Sequence, residues 1–350
     1  ILHMLFQQEC IQCIVINLKN QKIKKMINKQ KENIFYENSF NFSYSSLNKL
    51  LFSPRIFYKE YILKEKEVRT DKHLIEGKLL HLMFLQPEKL HDEFSIVPNK
   101  IPSDNIRKVL NDLKKYDNPN MSELDSEILE ILINHNLYQS FKEDSKRLGK
   151  IQTVENAQYF HFLLEKGKDI IDNDMLAKAV ERIELLKDNK DVSNIMNHEV
   201  TDFEMDPVEI YNEQYLKCEL KDYNFGLKGF IDRYTIDHEK KEITIIDLKT
   251  TSKGLEKFAE TVDYYNYWMQ AVIYTILVNK NSDDKIESYK INFNFVVIDN
   301  YNQIYVFEVS NETMSKWYIG FEDVIKQANY HFSKKDFSLP YEFALKNVIL

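Results

Sequence analysis

The spacing of hydrophobic positions changes along the chain, from helical in its first part to strand-like in its second. Apolar residues recur at helical spacing through residues 103–198, which predicts a helical insertion. An earlier segment, from about Thr70 to Gln86, ends before Pro87 as a buried helix would. Between Tyr211 and Leu248, short β-rich runs separated by polar turns predict a meander of strands.

The last third of the chain alternates between the two patterns. A helix is predicted from about Val262 to Val278, followed by two strands with the sequences INFNFVVI and IYVFEV. Asn311 is suited to cap a last long helix through Phe332. The order of helices, strands, helix, strands, helix predicts an α/β fold with a central mixed sheet and helices packed against it.

Length and composition are those of one large folded domain. Of the 350 residues, 43% are hydrophobic and 13% aromatic, which is enough apolar material for a sizeable core and excludes global disorder. A single domain is predicted over residues 41–345. Residues 1–40 are predicted to be a poorly ordered N-terminal extension, and residues 1–25 are left out of the fold prediction because Met26 could be a start.

Charge and cysteine usage narrow the functional classes. The net charge of −8 has the wrong sign for binding nucleic acid through overall charge, so any such binding has to be local. Residues 49–78 are basic on balance, although a solvated helix face explains them as well. Three cysteines cannot build a disulfide framework, and the CxxC pair Cys10 and Cys13 lacks the partners of a zinc site. A cytoplasmic protein without a membrane span is therefore predicted.

The motif IIDLKTT at residues 245–251 carries the strongest candidate chemistry. Side chains alternate along a strand, so Asp247 and Lys249 share one face while Leu248 points into the core. If the preceding strand pairs with this one, Asp232 approaches Asp247, and two close carboxylates repel unless a divalent cation bridges them. The motif predicts a Mg²⁺ or Mn²⁺ site at which Lys249 positions a water or stabilises phosphoryl charge. An isolated DxK is more often a surface pair on an ordinary strand.

Two helical segments supply further candidates. Gln270 and Tyr274 lie one turn apart in YYNYWMQAVIYTILV and so share a helix face. Taken singly, they are ordinary core-edge residues, because a core also uses such aromatics. His81 follows Gly77 by one turn in GKLLHLMF, where a lone His is usually a hydrogen-bonded core residue. Their occurrence with the Asp and Lys set favours the functional interpretation.

Together these segments resemble the PD-(D/E)XK nuclease superfamily, in particular the phage and prophage exonucleases of the RecE (exonuclease VIII) type and their RecB-like relatives. The resemblance begins with SYSSLNKLLFSPRIFYKEY and EGKLLHLMFLQPEKL and closes with NEQYLKCEL, GLKGFIDRYTID, ITIIDLKTTS and YYNYWMQAVIYTILV. It spans about residues 43–340 in matching order. It implies the restriction-endonuclease-like core, with a central mixed sheet flanked by helices and the helical insertion at about 103–198.

The resemblance also implies a role for each candidate residue. It places in the catalytic centre Asp232, Asp247, Lys249, Gln270 and Tyr274. It implies as metal ligands His81, Asp232, Asp247, the backbone carbonyl of Leu248 and, matched to an acidic residue before the first motif strand, Glu213. Two ions of Mg²⁺ or Mn²⁺ are implied. One branch of the superfamily holds an iron–sulfur cluster through cysteines after the catalytic core, and since no Cys follows Cys218, no cluster is expected.

The implied function is that of a Mg²⁺-dependent DNA exonuclease in recombination or DNA processing, encoded by a phage and acting in the host cytoplasm. A homo-oligomer and a single-strand annealing protein are the implied partners besides DNA. An endonuclease of the same fold is a close variant. A catalytically inactive DNA-binding scaffold is the main rival, and its expected mark is loss of the metal-site carboxylates. A purely helical interaction protein would fit residues 103–198 alone.

Overall fold

The computed structural model of the protein describes residues 23–66, 71–196, 208–283, 286 and 288–348. The chain divides into two compact units. One, here called the sheet unit, consists of Ile1–Arg69 and Lys190–Leu350, and the other, the helical unit, consists of Thr70–Asn189. Most of the predicted insertion lies in the helical unit. The predicted domain boundaries themselves stay predictions.

The strands belong to two sheets. In chain order they are β1 (Phe40–Phe42), β2 (Phe94–Ile96), β3 (Asp169–Ile171), β4 (Val208–Glu219), β5 (Phe225–Asp237), β6 (Glu242–Thr251), β7 (Lys290–Asp299) and β8 (Ile304–Val309). In the helical unit, β2 and β3 pair in parallel. The other six form the mixed sheet of the sheet unit, in the order β1-β5-β6-β7-β8 with β4 also paired to β5.

Both units contain helices, besides one at residues 23–37 that is described below. In chain order they are α1 (Tyr44–Phe52), α2 (Pro54–Phe57), α3 (Lys72–Leu85), α4 (Leu90–Glu93), α5 (Asp104–Leu113), α6 (Asp125–Asn134), α7 (Asp144–Ile151), α8 (Val154–Leu164), α9 (Asn173–Asp188), α10 (Lys190–Met196), α11 (Phe258–Tyr265), α12 (Tyr267–Asn281), α13 (Asn311–Lys334) and α14 (Tyr341–Ala344). Among the described helices, we find none long and apolar enough to cross a bilayer.

Strand β5 organises the sheet unit because three strands pair with it. β4 runs antiparallel along one edge for nearly its whole length. Since a strand has only two edges, β1 and β6 share the other one, β1 at Phe225–Leu227 and β6 at Arg233–Asp237. No described strand pairs with residues 228–232 on that edge. This leaves an opening in the sheet between β1 and β6.

The sheet unit is held together by an aromatic core. The rings of Phe42, Phe225 and Phe332 meet with centroids about 5 Å apart, bringing β1, β5 and α13 together. Phe57 of α2 adds a fourth ring that is fully buried, as is Phe42. Burying such a side chain stabilises the fold by roughly 1.5–3 kcal/mol. This cluster fixes β1 against the start of β5 and so defines one side of the opening.

Two local details differ from the sequence-based expectations. The helix predicted from Val262 to Val278 is two helices, broken at Asn266, whose φ of 58° lies in the left-handed region that Asn tolerates. The sequence predicts Asn311 as the cap of the last helix, but it is the first helical residue, and the cap is Ser310, whose side chain accepts from the Thr313 N–H. Both differences concern where helices begin and end, and the predicted order of elements is unchanged.

The part of the predicted extension that the structure describes is helical. Residues 23–37 form a helix, and Phe35 of this segment is buried against the aromatic core. The Lys31 ammonium donates to the Leu63 carbonyl at 2.7 Å. Residues 1–22 lie outside the described part. The helix therefore packs as part of the sheet unit.

The helical unit has two small cores of its own. One joins α5, α6, α7 and α8, and its buried members include Leu110, Ile128 and Phe160. The other packs Leu79 of α3 against Met175 of α9, over the short β2–β3 sheet. The helical spacing of apolar residues in the sequence gives these helices apolar faces, and the faces pack together as the two cores.

Burial of His331 predicts an acid sensitivity of the sheet unit. His331 is 2% exposed, and its Nδ1–H donates to the Asp336 carbonyl. Burial lowers its pKa, and the Asp336 carbonyl only partly opposes this. The unfolded chain therefore binds the proton more readily, so stability is expected to fall as pH drops below about 6.5. His331→Gln should show a smaller loss of melting temperature over this range.

The control for this prediction is His161→Gln, which removes an exposed imidazole from the helical unit. Its melting curves should follow those of the wild type at every pH. An equal acid-induced decrease in melting temperature for wild type and His331→Gln would show that His331 is not the responsible group.

Candidate active site

The opening in the sheet brings Asp232 and Asp247 together. The β5–β6 ladder ends with Arg233 opposite Ile246, and the same register puts Asp232 opposite Asp247 at the first unpaired position. The strands separate there, because β6 continues along β7 to Thr251 while β5 continues along β4. Two carboxylates thus face the gap between diverging strands. The sequence prediction that these residues approach each other agrees with this register.

Asp232 is held by the backbone of the neighbouring strand. Its Oδ2 accepts a hydrogen bond of 2.8 Å from the Leu248 N–H, and the residue is only 7% exposed. Burial raises the pKa of Asp232, although the Lys249 charge and the Leu248 N–H both lower it. The carboxylate is thus fixed in place, but burial disfavours its charged form. A bound cation would stabilise that form.

Asp247 and Lys249 form a buried ion pair on β6. The Lys249 ammonium lies 2.5 Å from Oδ2 of Asp247, whose side chain is fully buried. Burial lowers the pKa of Lys249, but attraction to Asp247 and Asp232 outweighs it, so the pKa lies above its ordinary value. The lysine is therefore a cation near neutral pH, with its charge directed at the gap.

The ring of Tyr267, at the corner where α11 ends and α12 begins, supports Lys249. Its ammonium lies 4.8 Å from the centroid of Tyr267, a cation–π contact. Tyr267 follows the left-handed Asn266, whose side chain donates to Asn48 of α1 at 2.8 Å. The Tyr44 hydroxyl, also on α1, donates to the carbonyl of Tyr265 at the same corner. These contacts fix the corner that carries the ring.

A hydrogen-bond chain from α12 holds Asp247 from the other side. The Gln270 amide Nε2 donates to Oδ1 of Asp247 at 3.1 Å and to the Tyr274 hydroxyl at 2.8 Å. Its Oε1 is buried and has no hydrogen-bond partner among the described residues, so it offers an acceptor to a bound water. A side chain at Gly229 would meet the Tyr274 ring at 3.1 Å. Glycine therefore permits close packing of α12 on β5.

Glu213 completes the acidic set within the sheet unit. The β4–β5 register, continuous on both sides, places it opposite Asp232, and one carboxylate oxygen of each lies within 4.8 Å of the other. Its φ of 47° is left-handed, a conformation that is rare and strained for Glu. Strained backbone of this kind concentrates at functional sites. Asp232 and Asp247 thus face the gap, and Glu213 lies next to Asp232 on the neighbouring strand β4.

Two further predicted metal ligands, His81 and the Leu248 carbonyl, stay predictions. His81 lies half-buried on α3 of the helical unit, and its role as a ligand stays a prediction. The N–H of Leu248 binds Asp232, while the proposed role of its carbonyl also stays a prediction. Sequence reasoning missed Tyr44, Asn48 and Tyr267. Asn48 and Tyr44 are 217 or more residues from their partners, so only the tyrosine-rich run around Tyr267 gave a local signal.

Comparison with known families agrees with this geometry. The family model of the PD-(D/E)XK nuclease superfamily matches residues 41–329. The chain belongs to the PD-(D/E)XK nuclease superfamily. The match includes both strands of the carboxylate pair and α12. The predicted fold, with a mixed sheet flanked by helices, is thereby confirmed, whereas the RecE-like subtype stays a prediction.

Two solved structures show limited likeness to this superfamily member. One is a protein from Eubacterium rectale named as a candidate exonuclease, with a TM-score of 0.48, 12% identity and coverage of 93% of this chain and 91% of its own. The other is the protein SSO0001, with a TM-score of 0.21, 15% identity and coverage of 71% and 85%. No curated protein sequence matches the chain. Neither structural likeness is strong enough to carry a conclusion.

Proposed function

We propose that the protein is a metal-dependent deoxyribonuclease that hydrolyses DNA phosphodiester bonds, acting from DNA ends as an exonuclease. The observation that supports this most directly is the meeting of Asp232, Asp247 and Lys249 where β5 and β6 diverge, within a nuclease-superfamily chain. Mixed charges of this kind suit a phosphodiester, which is anionic and resists attack until its charge is neutralised.

The donor atoms fit a hard divalent cation. Glu213, Asp232 and Asp247 offer carboxylate oxygens, the ligands that Mg²⁺ and Mn²⁺ prefer. Burial raises the pKa of Asp232, and its carboxylate oxygen lies within 4.8 Å of one of Glu213, so a cation bound there would stabilise both charges. We assign these three residues to hold Mg²⁺ or Mn²⁺. The resemblance alone further implies two ions, with His81 and the Leu248 carbonyl as additional ligands. Bound there, the metal would acidify a water and polarise a phosphate oxygen.

The chain's own residues supply the rest of the site. Lys249, whose pKa is raised by Asp247 and Asp232, presents a positive charge to the non-bridging oxygens of a phosphate and stabilises the charge that develops on them during attack. Tyr267 keeps the ammonium in position without neutralising it. Gln270 and Tyr274 hold the Asp247 carboxylate in one orientation, so little reorganisation is needed at the moment of reaction.

A catalytically inactive DNA-binding scaffold is the main rival. Such a protein would retain the fold without keeping the charged set, whereas here Asp232, Asp247 and Lys249 are all present and in contact with their supporting residues. A purely helical interaction protein does not account for the six-stranded sheet. A role in phage recombination, a ring-like homo-oligomer, a partner annealing protein and a cytoplasmic location belong to the proposal through the resemblance alone.

Digestion of three substrates tests the proposal. Linear duplex, circular duplex and single-stranded DNA are incubated with Mg²⁺ or Mn²⁺ and the wild-type protein or Asp247→Asn. We expect the wild type to degrade linear substrates and spare circles, and Asp247→Asn to lose on the order of a hundredfold to a thousandfold or more in rate.

The matched control is Asp237→Asn, which removes another buried carboxylate from β5, five residues from Asp232. It should retain the wild-type rate. Cleavage of circles would indicate an endonuclease. A wild type that binds DNA but cleaves none of the three substrates with either metal would leave the scaffold interpretation.

A further inference from the structure

Two large aromatic side chains lie exposed side by side on the β4–β5 ribbon. Tyr215 and Phe230 stand directly opposite each other in the antiparallel register, with ring centroids 5.1 Å apart. They are 44% and 59% exposed. Adjacent exposed rings of this size are characteristic of contact surfaces.

The opposite face of the same stretch packs against α12. Leu216 and Gly229, which are paired across the two strands, point away from the rings, and both are buried. A side chain on Gly229 would meet Tyr274 and Leu277 of α12. Alternation along the strands therefore leaves Tyr215 and Phe230 on the face that this helix does not cover.

A pair of lysines lies on this face in the next row. Lys217 stands opposite Lys228, and each is two residues from one of the rings, so all four side chains share the face. Neither lysine has an ion-pair partner among the residues that the structure describes. Like charges directly opposite each other disfavour strand pairing, so the pair suits an anion bound from outside.

The row on the other side of the rings is the acidic pair of the candidate active site. Glu213 lies two residues before Tyr215 on β4, and Asp232 lies two residues after Phe230 on β5. Rows two residues apart are separated by about 7 Å along an antiparallel strand. Along the strands, the lysine pair, the ring pair and the acidic pair therefore follow one another at intervals of two residues, and the left-handed Glu213 interrupts the regular alternation at the acidic pair.

We propose that this part of the ribbon binds the unpaired nucleotides of a single-stranded DNA end next to the site of cleavage. Bases stack on Phe230 and Tyr215, and the phosphates lie beside Lys217 and Lys228. The inference rests on the proposed nuclease function and names single-stranded ends as its substrate class. Bases within a duplex are stacked on one another, whereas an unpaired base exposes the face that an aromatic ring can bind.

The position of the candidate active site argues against a second copy of the chain as the occupant. In a two-fold symmetric contact centred on the rings, each copy would cover the neighbouring carboxylates that the other needs for metal binding. A strand of DNA has the opposite charge to the lysines and aromatic-sized planar groups. It therefore matches both features of the surface.

Binding of a fluorescent oligothymidylate of about 12 nucleotides, within the range of known single-strand sites, tests the inference. Fluorescence anisotropy is measured in EDTA, so that cleavage does not contribute. Phe230→Ala should weaken binding by about 5- to 150-fold, and Tyr215→Ala should weaken it in the same direction. Phe230→Trp should retain affinity. Binding of a blunt hairpin duplex should change less than that of the single strand.

The matched control is Tyr305→Ala, which removes a ring that is 55% exposed on β8. It should bind the oligonucleotide as the wild type does. Lys217→Ala combined with Lys228→Ala should reduce the steepness of the salt dependence by about 1.4 in the log–log slope, as expected for two lost phosphate contacts on a single strand.

Unchanged affinity in Phe230→Ala, with circular dichroism showing an intact fold, would overturn the inference. So would a change from dimer to monomer in sedimentation without any change in affinity, which would make the ribbon face a self-association surface. The nuclease function and the single-strand binding surface can be refuted independently of each other. A wild type that binds single strands through Phe230 but cleaves nothing refutes only the nuclease function, and cleavage that is indifferent to Phe230 and Tyr215 refutes only the binding surface.

Discussion

Asp232→Asn is expected to abolish metal-dependent cleavage and to raise the melting temperature of the metal-free protein. The loss of rate should be on the order of a thousandfold or more, because a carboxylate of the metal site is removed. The gain in stability follows from the raised pKa of Asp232, which means that its charged form is disfavoured in the folded state. An amide can still accept from the Leu248 N–H, so the substitution removes the charge and keeps the contact.

Asp237→Asn supplies the opposite case on the same strand. Burial raises the pKa of Asp237, but the backbone and side chain of Lys240 outweigh it, and the pKa is lowered overall. Its charge therefore stabilises the fold, and Asp237→Asn should lower the melting temperature while leaving cleavage intact. Two buried carboxylates on β5 thus predict thermal shifts of opposite sign.

Thermal melts in EDTA and with Mn²⁺ provide the measurement. Mn²⁺ should raise the melting temperature of the wild type and of Asp237→Asn, since a cation that binds only the folded state stabilises it. Asp232→Asn should respond much less. If Asp232→Asn melts below the wild type in EDTA, the interpretation of its carboxylate as a destabilising charge is wrong.

Lys249→Met is expected to have the second largest effect, in which both activity and stability are lost. It removes the cation that lies 2.5 Å from the fully buried Asp247 carboxylate. An uncompensated buried charge typically costs about 3–5 kcal/mol in the free energy of unfolding. Met retains most of the side-chain volume, so the loss reflects charge rather than a cavity.

The double variant Asp247→Asn with Lys249→Met separates charge from packing. Both partners are then neutral, and part of the stability lost in Lys249→Met should return, although neither protein cleaves DNA. Urea unfolding in EDTA gives the free energies for the full cycle. A double variant less stable than Lys249→Met alone would show that the ion pair is not the source of the loss.

The central pair of the site could be predicted because its signals are local. Alternation within IIDLKTT places Asp247 and Lys249 on one face, and a hairpin connection between neighbouring strands places Asp232 near them. Gln270 and Tyr274 followed from their spacing on a helix. These inferences need only the periodicity of one element and the pairing of adjacent strands.

The parts that sequence could not supply depend on distant contacts. At the break, the Asn266 side chain donates to Asn48, which is 218 residues away, and the run of tyrosines does not reveal that contact. The parallel pairing of β1 with the start of β5 spans a comparable distance along the chain. The left-handed Glu213 is also unexpected, because Glu has no preference for that conformation and the flanking register is regular.

The left-handed backbone at Glu213 has a bearing on how this protein can be engineered. Glycine or asparagine would adopt the same φ with less strain and would also reduce the negative charge beside Asp232. A laboratory selection for thermal stability alone would therefore favour replacement of Glu213, a side chain assigned to the metal. Retention of activity has to be imposed as a second criterion, since at this position durability and catalysis favour different residues.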